Sequence, residues 1–257
     1  CWEKDSQYYA INTTLPYYNP TASSPPSVTK LRGAMYLLDF ANQNPSGGYS
    51  LKDVTTNDVN RWDPAAVSLM NNLMQTERYY RTVFSLNSLD NAGMNIWAVL
   101  HWRWTQPGGG SHNNNACWNQ TVRCMQFGDG DSVSAGRLPH ALDITALEYT
   151  HGVNSYAANL IYENQSGAID EALADFFACM VDRDDWWIGE DITAIGAKKA
   201  FRDLANPRNP DMAYSLPASM AEFKNTPVSN DHGGVHYNMS ICARAGYLLA
   251  EEMNGGV

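Results

Sequence analysis

Near residue 139 the hydrophobic period of this chain changes from two to 3.6, and no other feature constrains the fold as strongly. Before it, β-type runs recur at Tyr8-Tyr9-Ala10-Ile11, Ala34-Met35-Tyr36-Leu37-Leu38 and Ile96-Trp97-Ala98-Val99-Leu100. One helix interrupts them. Asp63-Pro64 opens it, since aspartate caps and proline suits the first turn, and Leu69, Leu73 and Tyr79–Tyr80 carry it on. After the change, three helices are predicted over 139–154, 166–182 and 193–205, and a last one runs from Tyr237 towards Met253. No internal repeat is visible. A β-rich half and a helical half predict an α+β protein of two lobes, 1–153 and 154–257. The helix holding His151 then lies at their border, where sites often form.

Composition removes several functions. A net charge of -10 would be repelled by nucleic-acid phosphates. No apolar run reaches transmembrane length. Only 17% of residues are charged, and Asn, Gly, Ser, Thr, Trp and Tyr take their place, which favours a secreted or periplasmic protein in mature form. Five cysteines occur. Cys117 and Cys124 flank a turn, Asn119-Gln120-Thr121, and a disulfide across that hairpin is expected in an oxidising compartment. Cys179 and Cys242, in helical apolar contexts, read as buried free thiols. For Cys1, a lipidated N-terminus, half of a bridge and a processing product all stay open.

The chemistry lies at 147–151. In His-Glu-x-x-His two imidazoles stand one helical turn apart, and the glutamate polarises a metal-bound water. Here the run is Leu147-Glu148-Tyr149-Thr150-His151. Glu-x-x-His alone carries almost no information, but its neighbours do. In order they are Asn115-Ala116-Cys117-Trp118, Gly128-Asp129-Gly130-Asp131, Leu160 to Ala172 with Gly167-Ala168-Ile169-Asp170-Glu171-Ala172, Trp187-Ile188-Gly189-Glu190-Asp191, and Asp231-His232-Gly233-Gly234-Val235-His236. From about residue 8 to the end, this ordered set resembles the thermolysin family of zinc endopeptidases.

The resemblance implies a two-lobed thermolysin-like fold and a set of roles. His151 and Glu171 match zinc ligands, Glu148 the general base, and Asp175 the carboxylate behind the first histidine. Tyr162 and His236 match the groups that stabilise an oxyanion, with Asp231 orienting His236. Arg202 matches an arginine that binds a substrate carbonyl, and Asn115 and Ala116 match the edge strand on which a peptide pairs. Asp143, Asp182, Asp185 and Glu190 match calcium carboxylates, with the Trp187 carbonyl as a further ligand. Calcium is therefore an expected cofactor.

Zinc is not. Leu147 stands where the first ligand should be and has no lone pair, so two protein ligands remain where catalytic zinc normally has three. Asp175 would then lack its partner. His140 lies two turns upstream, roughly 10 Å away. His112, in the loop Gly108 to Asn114, is the other candidate substitute. Burial of roughly 1.5–3 kcal/mol per leucine makes a packed Leu147 the simpler outcome. The family domain continues beyond the segment matching Tyr237–Met253, so a separate C-terminal fragment, a larger assembly, a differently closed lobe or a longer product is expected. Two functions follow. The first is a pseudopeptidase that binds peptide or protein or serves as a structural subunit. The alternative is an active secreted zinc endopeptidase with a substitute ligand.

Overall fold

The computed structural model describes residues 1–4, 6–19, 31–43, 50–105, 111–193 and 196–254. The N-terminal half holds β1 (Trp2–Lys4), β2 (Gln7–Tyr9), β3 (Ile11–Asn12), β4 (Met35–Asp39), β5 (Lys52–Asp53) and β6 (Thr55–Thr56). After α1 (Pro64–Phe84) come β7 (Ile96–Leu100), β8 (Trp104–Thr105), β9 (Ser111–His112), β10 (Ala116–Asn119) and β11 (Cys124–Phe127). The C-terminal half is α2 (Leu142–Ala157), α3 (Asn164–Val181), β12 (Trp187–Ile188), β13 (Arg202–Asp203) and α4 (Asp231–Asn254). The architecture is α+β, as the period change predicts.

The main sheet runs β10-β11-β7-β4-β3, with β5 also on β4. Strands β4, β7 and β11 are parallel, and β10 closes one edge antiparallel to β11. Alternation sets its two faces. Met35, Leu37, Ile96, Ala98, Leu100, Met125 and Phe127 join the main core with α1 and α2. Tyr36 joins a second apolar cluster with Trp97 packed on it, and Val99 and Cys124 join a third around Phe40 and Trp102. Helix α1 begins as its cap predicts: the Ala65 N–H donates to Asp63 Oδ1 at 2.7 Å, and Pro64 takes the first turn.

Three expectations are corrected. The cysteines of the β10–β11 hairpin are not opposite one another. Cys117 pairs with Gln126 and Cys124 with Asn119. Diagonal neighbours stand about 7–8 Å apart, too far for the roughly 4 Å between Cβ atoms of a disulfide. Both are free thiols, and Cys117 Sγ donates to Gln126 Oε1 at 3.3 Å. Cys242 is also exposed rather than buried, whereas Cys179 is buried. Finally, the described part of 193–205 is not a helix. Its backbone goes into pairing instead: the Phe201 N–H donates to Ile188 O, the Lys199 N–H to Asp211 O, and β13 pairs with β12. No helix among the described residues is long and apolar enough to cross a membrane.

Candidate functional site

Helix α2 turns one stripe towards a cleft of about 490 Å³: Ile144, Leu147, Glu148, His151 and Ser155, at helical spacing. The opposite side is core, with Tyr149 fully buried and the Thr150 hydroxyl hydrogen-bonded to Tyr80 Oη at 2.7 Å. Strand β10 forms one wall, α3 another, and the start of α4 the third. Asn115 and Ala116 lie on the β10 wall. The Trp118 N–H is turned inward, onto the Glu148 carboxylate.

Leu147 lines the cleft yet is only 6% exposed and belongs to the main core. The first position of the motif is thus filled by packed hydrocarbon. Glu148, one residue on, is 5% exposed. Burial pushes its pKa up to about 7, and Glu171 adds to that, while His151, the Trp118 amide and Arg202 pull the other way. His151 Nδ1 is 3.1 Å from Asp170 Oδ1, which also accepts from Asn154 Nδ2 at 2.7 Å. His151 Nε2 is 3.5 Å from Glu171 Oε1. Burial disfavours a charged His151, but Glu171, Asp170 and Glu148 outweigh it and hold its pKa up at about 9.

Glu171 Oε1 is the hub of the cleft. Tyr162 Oη donates to it and also lies 3.2 Å from His236 Nε2. His236 Nε2 is 3.4 Å from the same oxygen, and His236 Nδ1 is 2.5 Å from Asp231 Oδ1. A turn delivers this histidine. Residues Asp231, His232, Gly233 and Gly234 all have positive φ, at 52°, 49°, 88° and 82°. Gly233 is required twice over, because a Cβ there would also come within 2.2 Å of Asn164 Oδ1. His232 rides on the same turn, lines the cleft, and sets its ring 5.4 Å from that of Tyr162. The spacing reading did not single it out; its one signal is its place before Gly233-Gly234.

Asp175 departs from expectation. Asp175 is not left without a partner. Arg202 Nε and Nη2 donate to its two oxygens at 2.8 and 2.7 Å, and Asp175 is 1% exposed. Arg202 borders the cleft with two of its nitrogens on that carboxylate, which holds the guanidinium firmly charged. Neither proposed substitute reaches the cleft wall. His112 lies in the β8–β9 ribbon, stacked at 6.1 Å on Trp104, and His140 is exposed at the end of a 3-10 turn. Gly108–Gly110 lie outside the described residues.

A second cluster sits at the start of α2. Asp143, Asp182 and Glu190 bring one oxygen each within 4.8 Å of one another, the one such metal-ligand set among the described residues. Asp143 accepts from the N–H groups of Ile144 and Gly189. Glu190 Oε2 is buried with no hydrogen-bond partner, so an ionised Glu190 calls for a cation. Burial, and then the other carboxylates, push Asp143 up to about 7 and Glu190 up to about 8. All-oxygen donors of this kind fit calcium. Asp185 is instead turned onto its own loop, accepting from the Trp187 N–H at 2.6 Å, and the Trp187 carbonyl accepts from Cys179 Sγ at 3.6 Å.

Residues 3–155 match the family model described as thermolysin metallopeptidase, catalytic domain, and residues 158–257 that described as thermolysin metallopeptidase, alpha-helical domain. Neutral protease NprE of Bacillus pumilus is 41% identical over 185 residues, covering 71% of this chain and 57% of that protein. Bacillolysin of Bacillus cereus is 35% identical over 254 residues, covering 96% of this chain and 41% of that protein. The chain thus spans less than two thirds of these curated relatives. Among solved structures, the precursor of protealysin, a metalloproteinase from Serratia proteamaculans, matches with a TM-score of 0.70 and 30% identity, covering 85% of this chain and 69% of that one.

Proposed function

The chain belongs to the thermolysin metallopeptidase family, and from that premise we propose that it is a pseudopeptidase: a peptide-binding domain that has lost catalytic zinc. One observation carries the reading. Leu147 occupies the first ligand position, buried and packed into the core. His151 and Glu171 are then two donors where a catalytic site needs three. The zinc of the family does not fit this residue set, and no reaction step is derived through it. What persists is a cleft with a strand at its edge. An extended peptide would pair along β10 at Asn115 and Ala116, facing Tyr162, His151 and His236. Calcium fits better: Asp143, Asp182 and Glu190 would hold it, and it would supply charge neutralisation between α2 and the loop after α3. An extracellular location accords with the sparse charge and the neutral-protease relatives.

The test is turnover of an unstructured protein substrate by the wild-type chain and by Glu148→Gln. The proposal expects no difference between them, and retained binding of an apolar peptide by both. A second reading is supported by one observation, that Glu148, His151, Glu171, Tyr162 and His236 all border one cleft. It is an active zinc endopeptidase with a substitute ligand. Chelator-sensitive hydrolysis abolished by Glu148→Gln would establish it in place of the first.

A further inference from the structure

We infer that His232 is a peptide-binding residue, whose imidazole N–H holds a backbone carbonyl on the second edge of the bound strand. The inference deepens the peptide-binding reading of the cleft and rests on it. An extended peptide has two hydrogen-bonding edges. Where one pairs with β10 at Asn115 and Ala116, the other faces the rest of the cleft, and its polar groups need partners there. The start of α4 supplies a wall with two histidines on it, His232 and His236. His236 is already engaged at both ring nitrogens. Its Nδ1 is on Asp231, and its Nε2 lies 3.2 Å from Tyr162 Oη and 3.4 Å from Glu171 Oε1. His151 is engaged in the same way, by Asp170 and Glu171. His232 differs. Among the described residues it has no hydrogen bond or ion pair, and it touches the site through its ring alone, set against Tyr162 at 5.4 Å between centroids and 66° between planes.

The backbone presents this ring rather than burying it. His232 has φ 49° and ψ 33° and is exposed, while Gly233 and Gly234 behind it are buried. Glycine would meet the same φ without steric cost, so the turn itself does not require an imidazole. The chemistry of the ring selects the group it takes. A neutral imidazole carries one N–H and a charged one two, so donation to a carbonyl is available in either state, whereas acceptance from a peptide N–H is not. Asp231, next in the chain, and Glu171, on Tyr162, favour a neutral acceptor over an anionic one beside this turn. A backbone carbonyl is neutral and present in every peptide, so His232 adds affinity whatever the side chains.

The test is the affinity of the full-length chain for an acetylated and amidated peptide of leucine, phenylalanine and alanine. A matching set replaces each amide in turn by an ester, whose carbonyl is the poorer acceptor, and the integrity of each peptide is checked after titration. His232→Gly is the variant, since glycine keeps the positive φ. We expect it to weaken the amide peptide about 5-fold, the effect of one net hydrogen bond. One ester should lose its penalty in the variant while keeping it in the wild type, a position-specific coupling that a disturbed turn would not give. Affinity unchanged in His232→Gly overturns the inference alone. So do ester penalties identical in the two proteins, or a loss confined to peptides with an added acidic side chain, which would assign His232 to that side chain. A wild-type chain that binds no peptide overturns the peptide-binding reading and the inference together.

Discussion

A buried carboxylate must find a counter-charge or surrender its own, and Asp175 finds Arg202. Removing one member of such a pair strands the other. Arg202→Ala is expected to cost about 3–5 kcal/mol, and Asp175→Ala combined with it less than the two single losses added together. Urea denaturation of the four proteins measures this; additive losses would show that the fork contributes nothing of its own. Gly233→Ala belongs to the same scale. Its φ of 88° and the 2.2 Å approach to Asn164 leave no room for a methyl group. It should lower Tm by several degrees, at roughly 1–3 kcal/mol of strain, and detach His236 from Glu171. How much of the site the sequence discloses follows from these cases. Leu147, Glu148 and His151 share a helical stripe, and spacing alone puts them together. Arg202 and Asp175 are 27 residues apart on different elements, and no periodicity joins them. His232 reaches the cleft through positive φ at a non-glycine residue, which composition does not reveal.

Elements are held to one another by a few polar contacts, and His101 is one of them. It follows β7 directly, with Nδ1 2.8 Å from Asp129 Oδ1 and Nε2 3.3 Å from Asp63 Oδ2, the residue that caps α1. The hydrogen bond to Asp129 raises its pKa above 6.5 against the effect of burial, with Asp39 and Asp63 adding to the rise. A raised folded pKa contributes stability that is fully present below the unfolded value and is lost as pH climbs through the folded one. His101→Gln should therefore destabilise most at about pH 5.5 and progressively less above neutrality. Unfolding free energies across that range decide it; a pH-independent loss would mean that packing, not charge, is what His101 supplies. Elements also differ in how openly the sequence announces them. Asp63-Pro64 marks α1 because the cap is local. The run Ala197-Lys198-Lys199-Ala200 reads as helix by propensity, but pairing of its end with 211–213, and of the residues that follow it with 187–188, overrides it. The Cys117–Cys124 bridge failed for a similar reason, since the register of a hairpin is set by partners and not by turn length alone.

At the scale of the whole molecule, Asp143 opens α2, and Asp182 and Glu190 lie beyond α3, so one cation would tie the site helix to the helical half. Without it, Glu190 Oε2 is buried and unpaired beside two further carboxylates. An ion that binds only the folded chain stabilises by RT ln(1 + [L]/Kd), about 2.7 kcal/mol at a hundredfold excess over Kd. For a chain of this size each kcal/mol moves Tm by roughly 2–4 °C. Chelation should accordingly lower Tm by about 5–10 °C, and calcium should restore it where magnesium does not, since magnesium sheds its water reluctantly. Asp143→Asn with Glu190→Gln removes two of the three charges, so this variant should melt at one temperature with or without calcium. If the wild type also melts there regardless of calcium, the three carboxylates are not a calcium site. The same scan with an apolar peptide present tests reach. Because Asp143 and His151 lie two turns apart on one helix, peptide affinity should fall with the cation, and an affinity indifferent to calcium would confine its effect to stability.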